Sequence, residues 1–125
     1  MSCSLDPKQI EQTIDFHGHS CPGLAIGIRA AELARIKLDI DQTANTVCVT
    51  ETDMCGVDAI QFLTGCTYGK GNLIHKDFGK SAFTFFNRDT NKGFRAVFQD
   101  RVSDRNADRD ARIQSLMAAA LDDLF

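Results

Sequence analysis

Tryptophan is absent from this chain of 125 residues, tyrosine occurs once and proline twice. Positive charge is not in excess: 14 Lys and Arg face 17 Asp and Glu, for a formal net charge of -3 and a pI near 5.5. A protein that holds nucleic acid through a broad basic field needs clustered Lys and Arg, so that class is excluded. No stretch approaches the roughly 18 apolar residues of a membrane span. The N-terminus, MSCSLDPKQIEQ, lacks the basic segment and apolar core of a secretion signal, so the expectation is a cytoplasmic protein. No Cys-x-x-Cys occurs, which removes the defining pair of a thioredoxin-type dithiol enzyme. Gly65 to Lys70 is one residue short of a Walker phosphate loop and no Ser or Thr follows Lys70, which argues against a nucleoside triphosphatase.

What the chain does have is five cysteines, Cys3, Cys21, Cys48, Cys55 and Cys66. An odd count in a reducing compartment does not suit a disulfide framework, so metal ligation or thiol chemistry becomes the question. A hydrophobic share of 43% is enough for one core, and the length fits a single domain over residues 1–125.

Asp6 before Pro7 predicts a capped helix to about residue 15. Residues 16–23 read as a shaped loop, and Pro22 opens a second helix to about Leu38, rich in Gly and Ala. Thr46 to Thr50 alternates β-branched residues and reads as a strand, followed by a helix over residues 57–63 that Gly65 closes. A glycine-rich loop over residues 65–72 leads to a strand over residues 73–78. Residues 81–86 and 94–98 form a hairpin around Asn91-Lys92-Gly93. Ser103 is the expected cap of a last helix whose apolar stripe runs from Ile113 to Leu124. This order predicts an α+β fold with a mixed sheet.

His17, His19 and Cys21 alternate over five residues, so in extended backbone two imidazoles and a thiol would point to one side. These donors suit zinc and related first-row metals. Cys55 lies at a second strand-to-helix junction beside Glu51 and Asp53, where ligands gather in α/β-type sheets. Cys66, in the glycine-rich loop, is open to three readings: ligand, redox partner or lining residue. Cys48 reads as core and Cys3 as an incidental terminal thiol. Lys70 is the candidate contact for an anionic substrate. Asp53 or Glu51 would serve as acid/base or as the partner of a ligating imidazole.

Three blocks carry a resemblance: Phe16 to Leu24 with its His-Gly-His and Cys-Pro, Thr52 to Gln61 around Cys55, and Thr64 to Asn72 around Cys66. Together they resemble the FmdE family, named for a component of formylmethanofuran dehydrogenase. The resemblance implies a thioredoxin-like α+β core with a mixed sheet flanked by helices, and a homodimer. It also implies an active site at the His-Gly-His and Cys motifs able to hold zinc or another divalent transition metal. Association with a molybdenum or tungsten oxidoreductase complex is the implied setting. The expected metal set is His17, His19, Cys55 and Cys66, and the expected reactive groups are Cys21, Cys55, Asp53 and Lys70. Two further readings remain beside a metal-dependent site: an accessory metal-delivery or assembly factor, and a cysteine-based thiol redox protein.

Overall fold

The helix that begins at Pro22 organises the molecule, because small and apolar residues surround it on nearly every side. The computed structural model describes residues 3–102, 104 and 106–125. Helix α1 spans Pro7–His17 and α2 spans Pro22–Leu38. Strand β1 (Thr46–Thr50) and helix α3 (Gly56–Thr64) follow, then β2 (Leu73–His75), β3 (Ala82–Asn87) and β4 (Lys92–Val97). Helix α4 (Arg109–Ala118) and a single 3-10 turn at Leu121–Asp123 complete the order.

The strands form one mixed sheet in the order β2-β1-β3-β4. β1 runs parallel to β2 and antiparallel to β3, and β3 and β4 form an antiparallel hairpin. The α+β class expected from the order of elements is therefore the observed one. Phe83 opposite Ala96 and Phe85 opposite Phe94 line the inner face of the hairpin, where they meet α2 residues Ala30 and Ala34 in the larger apolar cluster. On its other side α2 contributes Leu24, Ile28 and Ala31 to a second cluster with Ala59 and Leu63 of α3. A helix apolar all round is a buried one, and α2 is the buried middle layer.

Several boundaries differ from the sequence expectation. α1 continues to His17 because Gly18, at φ +103°, supplies the left-handed cap that closes it. β2 stops at His75. The hairpin turn occupies residues 88–91, with Asn91 at φ +57° and its N–H bonded to Asn87 O, so Lys92 and Gly93 belong to β4. Ser103 lies outside the described residues, and the cap of α4 is Asp108, whose carboxylate accepts from Ala111 N–H. α4 ends at Ala118, and Leu124 reaches the core from the 3-10 turn.

Candidate metal centre

Two helix starts and one helix end meet at the same place. Cys21 caps α2 in extended backbone, and Pro22 occupies the first helical position, where a missing N–H costs nothing. Cys55 stands at the start of α3 and makes no capping bond with its side chain. The two helices approach closely because glycines face each other: a Cβ on Gly27 would lie 2.1 Å from Gly56 O, and one on Gly56 would lie 2.8 Å from Gly23 O. That contact brings Cys21 and Cys55 together. His17 ends α1, and the left-handed turn at Gly18 carries the chain back so that the His19 ring lies beside it, tilted by 42° with ring centroids 4.5 Å apart.

One donor atom from each of His17, His19, Cys21 and Cys55 falls within 4.8 Å of the others. A tetrahedral site built on ordinary zinc bond lengths has donor separations of about 3.5 Å, so a contraction of about 1 Å would close this set on an ion. The convergence differs from the extended run expected from alternation. His17 is helical, and the turn at Gly18 does the work assigned to the pleat.

The His17 ring is bound on one side only. Its Nδ1 is 2.7 Å from Asp58 Oδ2, and Asp58 Oδ1 accepts from Gln61 Nε2 at 3.2 Å. Its Nε2 is buried and has no hydrogen-bond partner among the described residues. A buried polar atom without a partner costs free energy, and a ligating imidazole whose other nitrogen meets a carboxylate is the usual arrangement of a metal-bound histidine. The donor set thus fits a borderline-soft divalent ion. Burial pushes the Cys55 thiol up from its ordinary pKa, and the adjacent Cys21 sulfur adds to the rise. A bound cation would reverse that bias by stabilising the thiolate. Cys21 Sγ also accepts from Leu24 N–H at 3.4 Å.

The other residues singled out in the sequence stand elsewhere. Cys66 is fully buried in the sheet-side core, its thiol donating to Thr46 O at 3.4 Å, and burial raises its pKa. It follows α3, whereas Cys55 precedes it, so a nine-residue helix of roughly 13 Å separates the two. Lys70 is exposed in the same distal loop, which Asn72 shapes by bonding Thr67 N–H, Thr46 O and Gly65 O. Asp53 is exposed. Glu51 is held by Arg95 through two bonds of 2.7 and 3.0 Å, and that guanidinium keeps its carboxyl below the usual range. The imidazole partner is therefore Asp58, not Asp53 or Glu51. Its spacing of three residues from Cys55, which places both on one face of α3, was the available signal.

A model of the family described as FmdE, molybdenum formylmethanofuran dehydrogenase operon, matches residues 16–124. A probable S-adenosyl-L-methionine-binding protein of Archaeoglobus fulgidus is 38% identical over 87 residues, covering 65% of this chain and 24% of that protein. A solved structure, a tungsten formylmethanofuran dehydrogenase FmdE-like protein from Syntrophus aciditrophicus, superposes with a TM-score of 0.63 at 30% identity. That match covers 79% of this chain and 53% of the other. The chain spans about a quarter of the first relative's length and about half of the second's.

Proposed function

The chain belongs to the FmdE family, and from that premise we propose that it holds one zinc ion through His17, His19, Cys21 and Cys55. The observation that carries this reading is the buried Nε2 of His17, which lacks a hydrogen-bond partner among the described residues, on a ring that belongs to the four-donor group. Asp58 is the positioning residue that fixes the imidazole. Four protein donors leave no open coordination position, the pattern of sites that store or stabilise more than of sites that turn over substrate. His19 is the one exposed donor of the four and sits on the short connection between α1 and α2. Its departure would open a position for a substrate atom or for a receiving ligand. When bound, the ion would supply Lewis-acid polarisation at that position.

Within this reading the protein works beside a molybdenum or tungsten oxidoreductase, as a homodimer of one-domain chains, and hands over or presents its metal. Support for the setting comes from the family description and from the solved FmdE-like relative. The test is metal content after anaerobic purification. One zinc per native chain is expected, with clear loss in His17→Ala and Cys55→Ala; a native chain that arrives empty and takes none on titration overturns the reading.

A second reading rests on the Cys21 and Cys55 thiols, whose sulfurs lie within 4.8 Å of each other. Two adjacent thiols form a disulfide when a disulfide-class oxidant accepts two electrons. A Cys21–Cys55 disulfide that forms reversibly at cytosolic potential in the metal-free protein would favour this role.

A further inference from the structure

The glycine-rich loop over residues 65–72 supplies no atom to the donor group, yet a line of hydrogen bonds runs from it to His17. Asn72 fixes the loop to Gly65 O and Thr46 O, and Gly71, at φ +79°, turns its N–H onto Tyr68 O at 3.1 Å. Tyr68 N–H then donates to Gln61 Oε1 at 3.3 Å, and Gln61 Nε2 donates to Asp58 Oδ1 at 3.2 Å. Asp58 Oδ2 completes the line at His17 Nδ1, 2.7 Å away.

Hydrogen-bond polarity fixes each member. A backbone N–H can only donate and a carboxylate can only accept, so one orientation of the Gln61 amide satisfies both neighbours: oxygen to Tyr68, nitrogen to Asp58. Asp58 accepts on both oxygens, so a neutral His17 carries its proton on Nδ1 and presents the lone pair of its buried Nε2. The second tether matters because the Asp58 side chain is 39% exposed. Held by His17 alone, its carboxylate would turn toward water, and the direction of the imidazole would loosen with it.

We propose that Gln61 is a positioning residue of the metal centre and that the Tyr68 peptide of the glycine-rich loop sets its direction. The effect on zinc rests on the metal reading above; the effect on His17 rests on the protein's own hydrogen bonds. Coupling between two sites is reciprocal, so zinc bound at His17 is also felt at the Tyr68 N–H.

The experiment uses the full chain and Gln61→Met, which keeps the length and helix preference of glutamine and removes both of its hydrogen-bonding groups. Gln61→Ala is the replacement if that variant does not fold. Chelator competition should give a zinc affinity about tenfold weaker than native, the lower end of what loss of a group supporting a ligand costs. Because Gln61 acts through Asp58, the double change Asp58→Ala with Gln61→Met should bind zinc as Asp58→Ala does; a general loosening of α3 would add its own factor. The Tyr68 amide resonance should shift on zinc loading in the native chain and hold still in Gln61→Met. In the zinc-free proteins the His17 Nδ1–H should exchange with water faster in Gln61→Met than in the native chain. Unchanged zinc affinity in a folded Gln61 variant, full additivity in the double variant, or a Tyr68 amide that ignores zinc overturns the proposal and leaves the metal reading intact. A native chain that takes no zinc, while His17 Nδ1–H still exchanges faster in Gln61→Met, sinks the metal reading and keeps the positioning role. An exchange rate that does not change overturns that role as well.

Discussion

His17 Nδ1 lies 2.7 Å from Asp58 Oδ2, which ties the last residue of α1 to the first turn of α3. The same α3 turn begins at Cys55. One carboxylate therefore fixes the direction of an imidazole whose free nitrogen belongs to the donor group, and links the two helices that supply it with a histidine and a cysteine.

Removing that carboxylate should weaken the centre without deleting a donor. Asp58→Ala is expected to lower zinc affinity about 10- to 100-fold, the usual effect of losing the partner of a ligating histidine. Asp58→Asn, whose amide oxygen still accepts from Nδ1–H, should lose less. Competition with a chromophoric chelator reads both, and an affinity equal to the native protein's in Asp58→Ala would remove Asp58 from this role.

The glycine contact between α2 and α3 should control both stability and the site. In Gly27→Ala the new methyl would sit 2.1 Å from Gly56 O, backbone against backbone, so the helices must separate. Overpacking of this kind costs about 1–3 kcal/mol. Because Cys21 and Cys55 begin these helices, zinc affinity should fall with it. Gly69→Ala is the control, since a Cβ there meets nothing within 4 Å. Thermal unfolding and chelator competition together test the coupling; a drop in stability with zinc affinity untouched would break it.

Much of this arrangement is legible in the chain, and what is not has physical reasons. Pro22, the β-branched run from Thr46 and the αL glycines Gly18 and Gly65 are local signals, and they mark real element boundaries. The grouping of Cys55 with the two histidines was readable from its strand-to-helix position. Cys66 shows the limit: a glycine-rich neighbourhood suggests exposure, yet tertiary packing puts this thiol at 0% accessibility. The last helix shows another. Apolar spacing from Ile113 to Leu124 marks Leu116, Met117 and Leu124, which reach the core, but the backbone leaves the α-helix at Ala119, so the phase shifts: Ala119 packs on the core and Ala120 is exposed.

Buried thiols should make the fold alkali-sensitive. Desolvation raises the pKa of Cys48 well above its ordinary value, with nearby Cys66 adding to the rise, and burial raises Cys66 as well. The folded state thus binds these protons more tightly than the unfolded state does. Their contribution is complete below the free-thiol value of about 8.5 and declines as pH climbs from there toward the folded values. Urea midpoints measured from pH 7 to pH 10 should fall along this range. The double variant Cys48→Ala and Cys66→Ala should start less stable and show a shallower decline, and an equal slope would assign the alkaline loss to other groups.

The strongest test of the frame lies at Arg29, which is fully buried on α2. Its Nε donates to Glu32 Oε1 and its Nη1 to Leu116 O, each at 2.6 Å, while Glu32 Oε2 accepts from Ser4 N–H and Ser4 Oγ at 2.7 and 2.9 Å. One ion pair therefore fastens α4 on one side and the N-terminal segment on the other. Arg29→Met leaves the Glu32 charge and the Leu116 carbonyl without their partner, and breaking one half of a buried pair costs about 3–5 kcal/mol. The double change Arg29→Met with Glu32→Leu removes the stranded charge and should recover part of that loss, because desolvating two ions offsets much of what their attraction returns. Urea unfolding compares the three proteins. If the single variant matches the native midpoint, the pair is not what holds α4; if the double variant is no better than the single, the cost lies in the lost tether to Leu116 and not in the uncompensated charge.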